Sequence, residues 1–165
     1  MIRYMKVYQG SLDIVESREI REPNRTLDYG SGFYTTTSYE QAESWVKHKM
    51  DEQHFDKGYV NVYDFNESYM DDLKCLVFEN PSEEWVDFVM KNRTQTGFVH
   101  DYDIVFGPVA HDRVYAAFAL FEGGVLNKQE LVRELKAYRL VDQYLFHTKK
   151  SIMALTFIEG KEIVK

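Results

Sequence analysis

Apolar and polar residues alternate from Tyr4 to Gln9, with Met5, Val7 and Gln9 on one side. A period of two predicts a strand. Leu12 to Leu27 is polar and irregular, broken at Glu22-Pro23-Asn24. Gly32 to Thr36 reads as a short strand. Thr37 and Ser38 are both candidate N-caps, because Glu40 and Gln41 stand three residues on from each. The helix they open places Ala42, Trp45, Val46 and Met50 on one inward face and is expected to end near Gly58. Strands are predicted over Tyr59 to Phe65 and Leu73 to Phe78. Asn80-Pro81-Ser82-Glu83 then starts a helix, with Asn as cap and Pro at the first position; its stripe is Trp85, Val86, Val89 and Met90. Asp103 to Val109 is an apolar strand ending at Gly107-Pro108. Asp112 caps a helix running to Gly123-Gly124, and Asn127 and Glu130 box the next, with Leu131, Val132 and Leu135 inward. Leu140 to His147 is a strand, Thr148 caps one short turn, and Thr156 to Val164 is the last strand.

Strands and helices are mixed without regular βαβ alternation, so the class is α+β. The 165 residues fit one domain over 1–165. Hydrophobic residues make up 44%, a globular composition with enough apolar material for a core. The net charge of −7 argues against general nucleic-acid affinity. A single cysteine, Cys75, excludes an internal disulfide framework and fits a reducing compartment. Met1 to Lys6 lacks the apolar run of a signal peptide, and no run approaches the roughly 18 residues of a membrane span. The expectation is a soluble cytoplasmic protein without membrane contact.

Familiar chemical signatures are mostly lacking. There is no G-x-G-x-x-G after a strand and no G-x-x-x-x-G-K-[ST], which argues against Rossmann and P-loop chemistry. The five histidines form no zinc spacing, so no metal is expected. Cys75 sits in an apolar strand and reads as core. What stands out is Asp28 to Trp45. Gly30 and Gly32 frame a tight turn, where backbone can approach a ligand closely. Tyr34 and Trp45, one on each side of a helix start, could sandwich a flat ring. Val7-Tyr8-Gln9-Gly10-Ser11 is a second short signal upstream. On residue types alone these segments also read as architecture, with Gln9 a polar strand end and Gln143 a solvated edge.

Gly30-Ser31-Gly32-Phe33-Tyr34 resembles the G-K-G-I-Y box of the ADP-ribosyltransferase superfamily, in its diphtheria-toxin and poly(ADP-ribose) polymerase branch. Val7-Tyr8-Gln9-Gly10-Ser11 is similar to the first motif of that branch, and Leu140 to Thr148 to its third, a strand opening with Glu or Gln. More narrowly, the chain resembles a small bacterial family of about this length. Its pattern is Y-H-G-S, D-F-G-x-G-F-Y-x-T-T with Q-A-x-x-W, D-I-V-x-G-P-V-A, and a late Q-x-x-F-H-T. The matching stretches here are Tyr8 to Ser11, Asp28 to Trp45, Asp103 to Ala110, and Gln143 to Thr148.

The resemblance implies a split antiparallel β-sandwich with peripheral helices around a cleft for NAD, the co-substrate. It implies that Tyr34 and Trp45 enclose the nicotinamide, that the backbone of Gly10 grips the carboxamide beside Ser11, and that Gln9, where the family has His, holds a ribose hydroxyl. The third-motif residue is Gln143 in place of a carboxylate. It can orient the ribose, yet it carries no charge to stabilise an oxocarbenium-like transition state. The implied activity is mono-ADP-ribosyl transfer from NAD to a macromolecular acceptor, with Gln143 and Tyr34 in the catalytic positions. Small bacterial proteins of this kind are often toxins or conflict factors, which implies a neutralising partner protein. The two glutamines favour an alternative, an NAD-binding or protein-interaction module without catalysis.

Overall fold

The computed structural model describes residues 3–16, 28–95, 97–109, 112–138 and 140–165. Its strands are β1 (Tyr4–Ser11), β2 (Phe33–Thr36), β3 (Lys57–Asn66), β4 (Cys75–Val77), β5 (Ile104–Pro108), β6 (Asp142–Phe146) and β7 (Leu155–Val164). Its helices are α1 (Tyr39–Gln53), α2 (Glu83–Thr94), α3 (Asp112–Glu122), α4 (Lys128–Lys136) and the short α5 (Lys149–Ile152); a 3-10 turn spans Glu67–Asp71. The class is α+β, as the mixed order of elements predicts.

The strands join in one sheet of order β4-β5-β6-β2-β1-β3-β7. The β4–β5 pair is parallel and the others are antiparallel. The sheet is sharply bent. Neighbouring strands sit about 4.8 Å apart, so in a flat sheet β3 and β6 would hold their side chains about 14 Å apart. Yet the rings of Phe65 on β3 and Phe146 on β6 pack edge to face at 5.1 Å, and Phe65 meets Tyr144 at 5.0 Å. The bend falls between β2 and β1, which share a single partner pair, Tyr8↔Thr36. Two half-sheets, β4-β5-β6-β2 and β1-β3-β7, therefore face each other across an aromatic layer of Phe33, Tyr63, Phe65, Tyr144 and Phe146.

Helices cover the outer faces. Trp85, Val86 and Val89 of α2, with Leu131 and Leu135 of α4, close over Val105 and Leu145 on the first half-sheet. Ala42, Val46 and Met50 of α1 close over Val60 and Ile163 on the second. Both groups follow the predicted apolar stripes, with one exception. Trp45 is 43% exposed, because its position on the helix turns it to the rim of the stripe. The caps also refine the sequence reading. Of the two candidates, Ser38 caps α1, accepting from the Gln41 N–H. Ser82, not Asn80, caps α2, accepting from the Trp85 N–H. His54, in the left-handed region at φ 60°, ends α1 well before Gly58, which belongs to β3. The boxes at Asn127/Glu130 and Thr148/Ser151 form as reciprocal pairs. The irregular stretch through Glu22-Pro23-Asn24 lies outside the described residues from residue 17 on, as do Ala110 and His111.

Candidate functional site

Strand register decides which of the singled-out residues share a face. Gly107 pairs with Gln143, Gln143 with Thr36, Thr36 with Tyr8, and Tyr8 with Val62. This row crosses the outer face of the sheet. By alternation Gly10 and Tyr34 lie on the same face. Past the Tyr8↔Thr36 pair the two strands part. Continuing their antiparallel register, Gly10 stands opposite Tyr34 across the gap. Trp45 reaches in from α1. A methyl group built on Gly10 would lie 3.1 Å from its Cε3. Lys49 caps the exposed side of the indole at 4.7 Å. Register thus places Gly10, Tyr34 and Gln143 on one face at the notch where β1 and β2 part, and Trp45 of α1 lies beside Gly10.

Gln9 and Ser11 do not join them. Both alternate to the inner face. Gln9 Oε1 accepts from Asn61 Nδ2 at 3.0 Å, and the Ser11 hydroxyl accepts from the Asp13 N–H at 3.2 Å. Asn61 is fully buried. It binds the Val15 N–H and the Asp13 carbonyl as well, so it ties the irregular segment after β1 to β3. Gln9 is thereby a member of a structural amide pair on the far side from Gln143.

Gln143 is 7% exposed, and its Nε2 is a buried side-chain donor without a hydrogen-bond partner among the described residues. Buried polar groups are nearly always paired. The group nearest to a partner for this amide is the Tyr29 hydroxyl, which lies within its hydrogen-bonding reach. Asp142, next in sequence, alternates to the inner face, where burial raises its carboxyl above the usual range.

The Gly30–Gly32 turn is held from every side. Gly32 has φ +141°, and a Cβ there would meet the Phe146 carbonyl at 2.7 Å; only glycine fits. The Tyr34 hydroxyl donates to the Gly30 carbonyl and accepts from the Tyr29 N–H at 3.0 Å, and burial raises it well above the usual tyrosine range. The Asp28 carboxylate accepts from Arg93 at 3.0 Å and from the Tyr115 hydroxyl at 3.1 Å. The Tyr29 hydroxyl donates to the Pro108 carbonyl and accepts from Trp85 Nε1, both at 2.8 Å. Gly107 leaves the room for that hydroxyl, which would lie 2.5 Å from a Cβ there. His100 Nε2 donates to the Tyr29 carbonyl at 2.7 Å and His147 Nδ1 to the Ser31 carbonyl at 2.6 Å. Three separated motifs (Asp28 to Tyr34, Asp103 to Pro108, and Gln143 to Thr148) therefore meet in one hub beneath the notch.

Sequence reasoning assigned no role to Asp28, Tyr29, Asn61, Arg93, His100, Tyr115 and His147. A signal was present for some. Asp28, Tyr29 and His147 belong to the recurring patterns but have no place in a ring sandwich. Asn61 is a lone amide inside the apolar run Tyr59 to Tyr63.

A family model described as "Protein of unknown function (DUF3990)" matches residues 5–157. The chain belongs to this family. The matched span contains every residue of the notch and the hub. Comparison with curated proteins and with solved structures gives no match. In this DUF3990 chain no group of three or more His, Cys, Asp or Glu able to hold a metal ion occurs among the described residues, and no described helix is long and apolar enough to cross a membrane. Cys75 is half-buried, and burial raises its thiol, which disfavours the reactive thiolate.

The hub carries a direct prediction for this member of the family. Tyr29→Phe leaves the Trp85 N–H and the Pro108 carbonyl unpaired in the core. Each buried orphan costs about 1–3 kcal/mol, so the variant is expected to lose at least ~2 kcal/mol. Urea unfolding followed by Trp85 fluorescence measures it; a loss under about 0.5 kcal/mol would show that the hydroxyl is dispensable.

Proposed function

We propose that this protein binds NAD in the notch at the sheet bend and transfers ADP-ribose from it to a macromolecular acceptor. The observation that carries the reading is the parting of β1 and β2, with Gly10 and Tyr34 on the face that Trp45 and the buried Gln143 amide also border. In this reading a flat nicotinamide stacks between Tyr34 and Trp45. Strand backbone freed from the β1–β2 ladder can pair with a carboxamide. The Gln143 Nε2, which has only the Tyr29 hydroxyl within reach among the described residues, can donate to a ribose hydroxyl. The bent sheet with helices outside is compatible with the split sandwich of the ADP-ribosyltransferase type, which is part of the same proposal.

NAD enters as substrate. Its bond between the ribose C1 and the nicotinamide nitrogen breaks, nicotinamide departs with the bonding pair, and an acceptor nucleophile bonds to C1 as its proton is released. Gln143 orients the sugar but supplies no negative charge. Loss of a preorganised electrostatic contact of this kind costs roughly 3 kcal/mol, or more than a hundredfold in rate. Slow transfer or slow NAD hydrolysis is the expected turnover.

The burial of Gln143 favours a second reading, in which the notch binds NAD without breaking it. One experiment separates the two. Trp45 is 43% exposed and Trp85 fully buried, so NAD should quench the Trp45 emission first. Calorimetric titration with NAD and an assay of free nicotinamide are run on the parent and on Trp45→Ala. Transfer predicts binding and release, both weakened at least tenfold in the variant. Binding without release establishes the second reading. No binding overturns both.

A further inference from the structure

We infer that His100, packed against His147, forms a proton-sensitive clasp on the Gly30–Gly32 turn, which holds the turn while the His100 ring is neutral and loosens it when a second proton on Nδ1 displaces the Tyr102 N–H. The two rings lie 4.2 Å apart at their centroids, and each holds one carbonyl of the turn. These carbonyls accept, so the contacting nitrogens carry the protons: Nε2 in His100 and Nδ1 in His147. The other nitrogen of His100, Nδ1, accepts from the Tyr102 N–H at 3.2 Å. Its neutral tautomer is therefore fixed from both sides. A second proton on the His100 ring must land on Nδ1, where it would face the Tyr102 N–H, donor against donor.

Burial of the His100 ring outweighs what the nearby Asp101 carboxylate offers an imidazolium. Phe88 packs against His100 at 5.3 Å. Asp101 is engaged by Lys74, and Asp103 accepts from Thr148 and from the Lys74 N–H. Lys150 lies close enough to act on Asp103 and opposes further positive charge. Tyr29 and Tyr102 present a carbonyl and an N–H, with no negative charge. Burial, and then the neighbouring His147, lower His100 below its ordinary range, against the opposing hydrogen bond to Tyr29. A histidine held low stabilises the fold above its unfolded value of about 6.5 and loses that contribution as the pH falls below it. Because the Tyr34 hydroxyl rests on the Gly30 carbonyl and Tyr29 N–H, release of the turn frees the ring that lines the notch.

The clasp is tested first without NAD, so it stands apart from the ADP-ribosyltransferase reading. Long-range proton–nitrogen NMR should show His100 with the proton on Nε2 and a titration midpoint below 6.5. Trp85 emission should change in the same window, since its indole bonds the Tyr29 hydroxyl. His100→Gln and His147→Asn keep amide donors near the contacting positions without titrating. The double variant should have a flat Trp85 profile between pH 7 and 5, while the histidines it retains remain as controls. If that variant does not fold, His147→Asn alone should raise the His100 midpoint by removing the neighbouring ring. A proton on Nδ1 of His100, an unchanged midpoint in His147→Asn, or an unaltered Trp85 transition in a folded double variant overturns the clasp. The second arm rests on the proposed NAD site: affinity for NAD should fall at least threefold from pH 7 to pH 5.5 in the parent and less in the double variant. A parent that binds NAD with pH-independent affinity disconnects the clasp from the notch.

Discussion

Gln143→Glu is expected to destabilise the protein by about 3–5 kcal/mol at neutral pH, the cost of a buried charge left uncompensated. The third-motif resemblance invites the opposite expectation, that a carboxylate there restores catalytic strength. The packing decides. Gln143 is 7% exposed, and its amide lies beside the Tyr29 hydroxyl. That hydroxyl already donates to the Pro108 carbonyl, so it offers the new carboxylate a lone pair unless it abandons that carbonyl. Burial raises the introduced carboxyl above its unfolded value of about 4.3. The sign follows from linkage: the variant is most nearly native in stability below that value and weakens as pH rises through the folded pKa. Urea midpoints from pH 4 to pH 8 should therefore fall steadily in Gln143→Glu relative to the parent. A pH-independent difference would mean that the side chain swings out to water. If NAD rescues the variant at pH 7, the carboxylate has found its partner in the ligand.

Gly10→Ala should lower stability by about 3 kcal/mol, the upper end of the cost of overpacking a core, which for a domain of this size is a melting-point drop of roughly 6–12 °C. A Cβ at this position would lie 2.6 Å from Val46 Cγ2 and 2.8 Å from the Ala42 carbonyl oxygen. The first contact is with a side chain and the second with helix backbone. Val46→Ala in the same chain should therefore recover the cost only in part. A melting point within two degrees of the parent would show that α1 can lift away from β1. Loss of NAD binding in Gly10→Ala alone is thus no measure of contact with the carboxamide; Trp45→Ala is the cleaner probe.

Gly10 also shows how far the sequence could be read. Its identity as a close-approach glycine was legible from Gly10-Ser11 at a strand end. What approaches it was not, because α1 reaches it through tertiary packing that no local pattern records. The same division runs through the fold. Elements with a clear period or cap, such as the Asn127/Glu130 box and the Trp85 stripe, stand where their sequence predicts. The Tyr59 to Phe65 run is legible as a strand but carries no sign that Phe65 packs on rings of β6. Trp45 was assigned inward because its spacing suits the stripe, yet the stripe is narrow and Trp45 falls on its rim. Gln9 and Gln143 look equivalent as polar strand residues. Only strand register places them on opposite faces, and register is a property of pairs of strands.

The joint between the half-sheets also dictates an order of assembly. Thr35 and Tyr144, which meet across the β2–β6 ladder, are 109 residues apart in the chain. On a ribosome, β2 emerges well before β6 and waits through that whole interval before its principal neighbour exists. The β1–β3 ladder has a much shorter delay, since β1 ends at Ser11 and β3 begins at Lys57. Contacts between distant residues slow folding because a long loop must close before they contribute. The second half-sheet under α1 can therefore form while the chain is still being made, apart from β7. The notch, the hub and the histidine pair come into being only after β6 has been made, so no nascent fragment lacking β6 can carry the site.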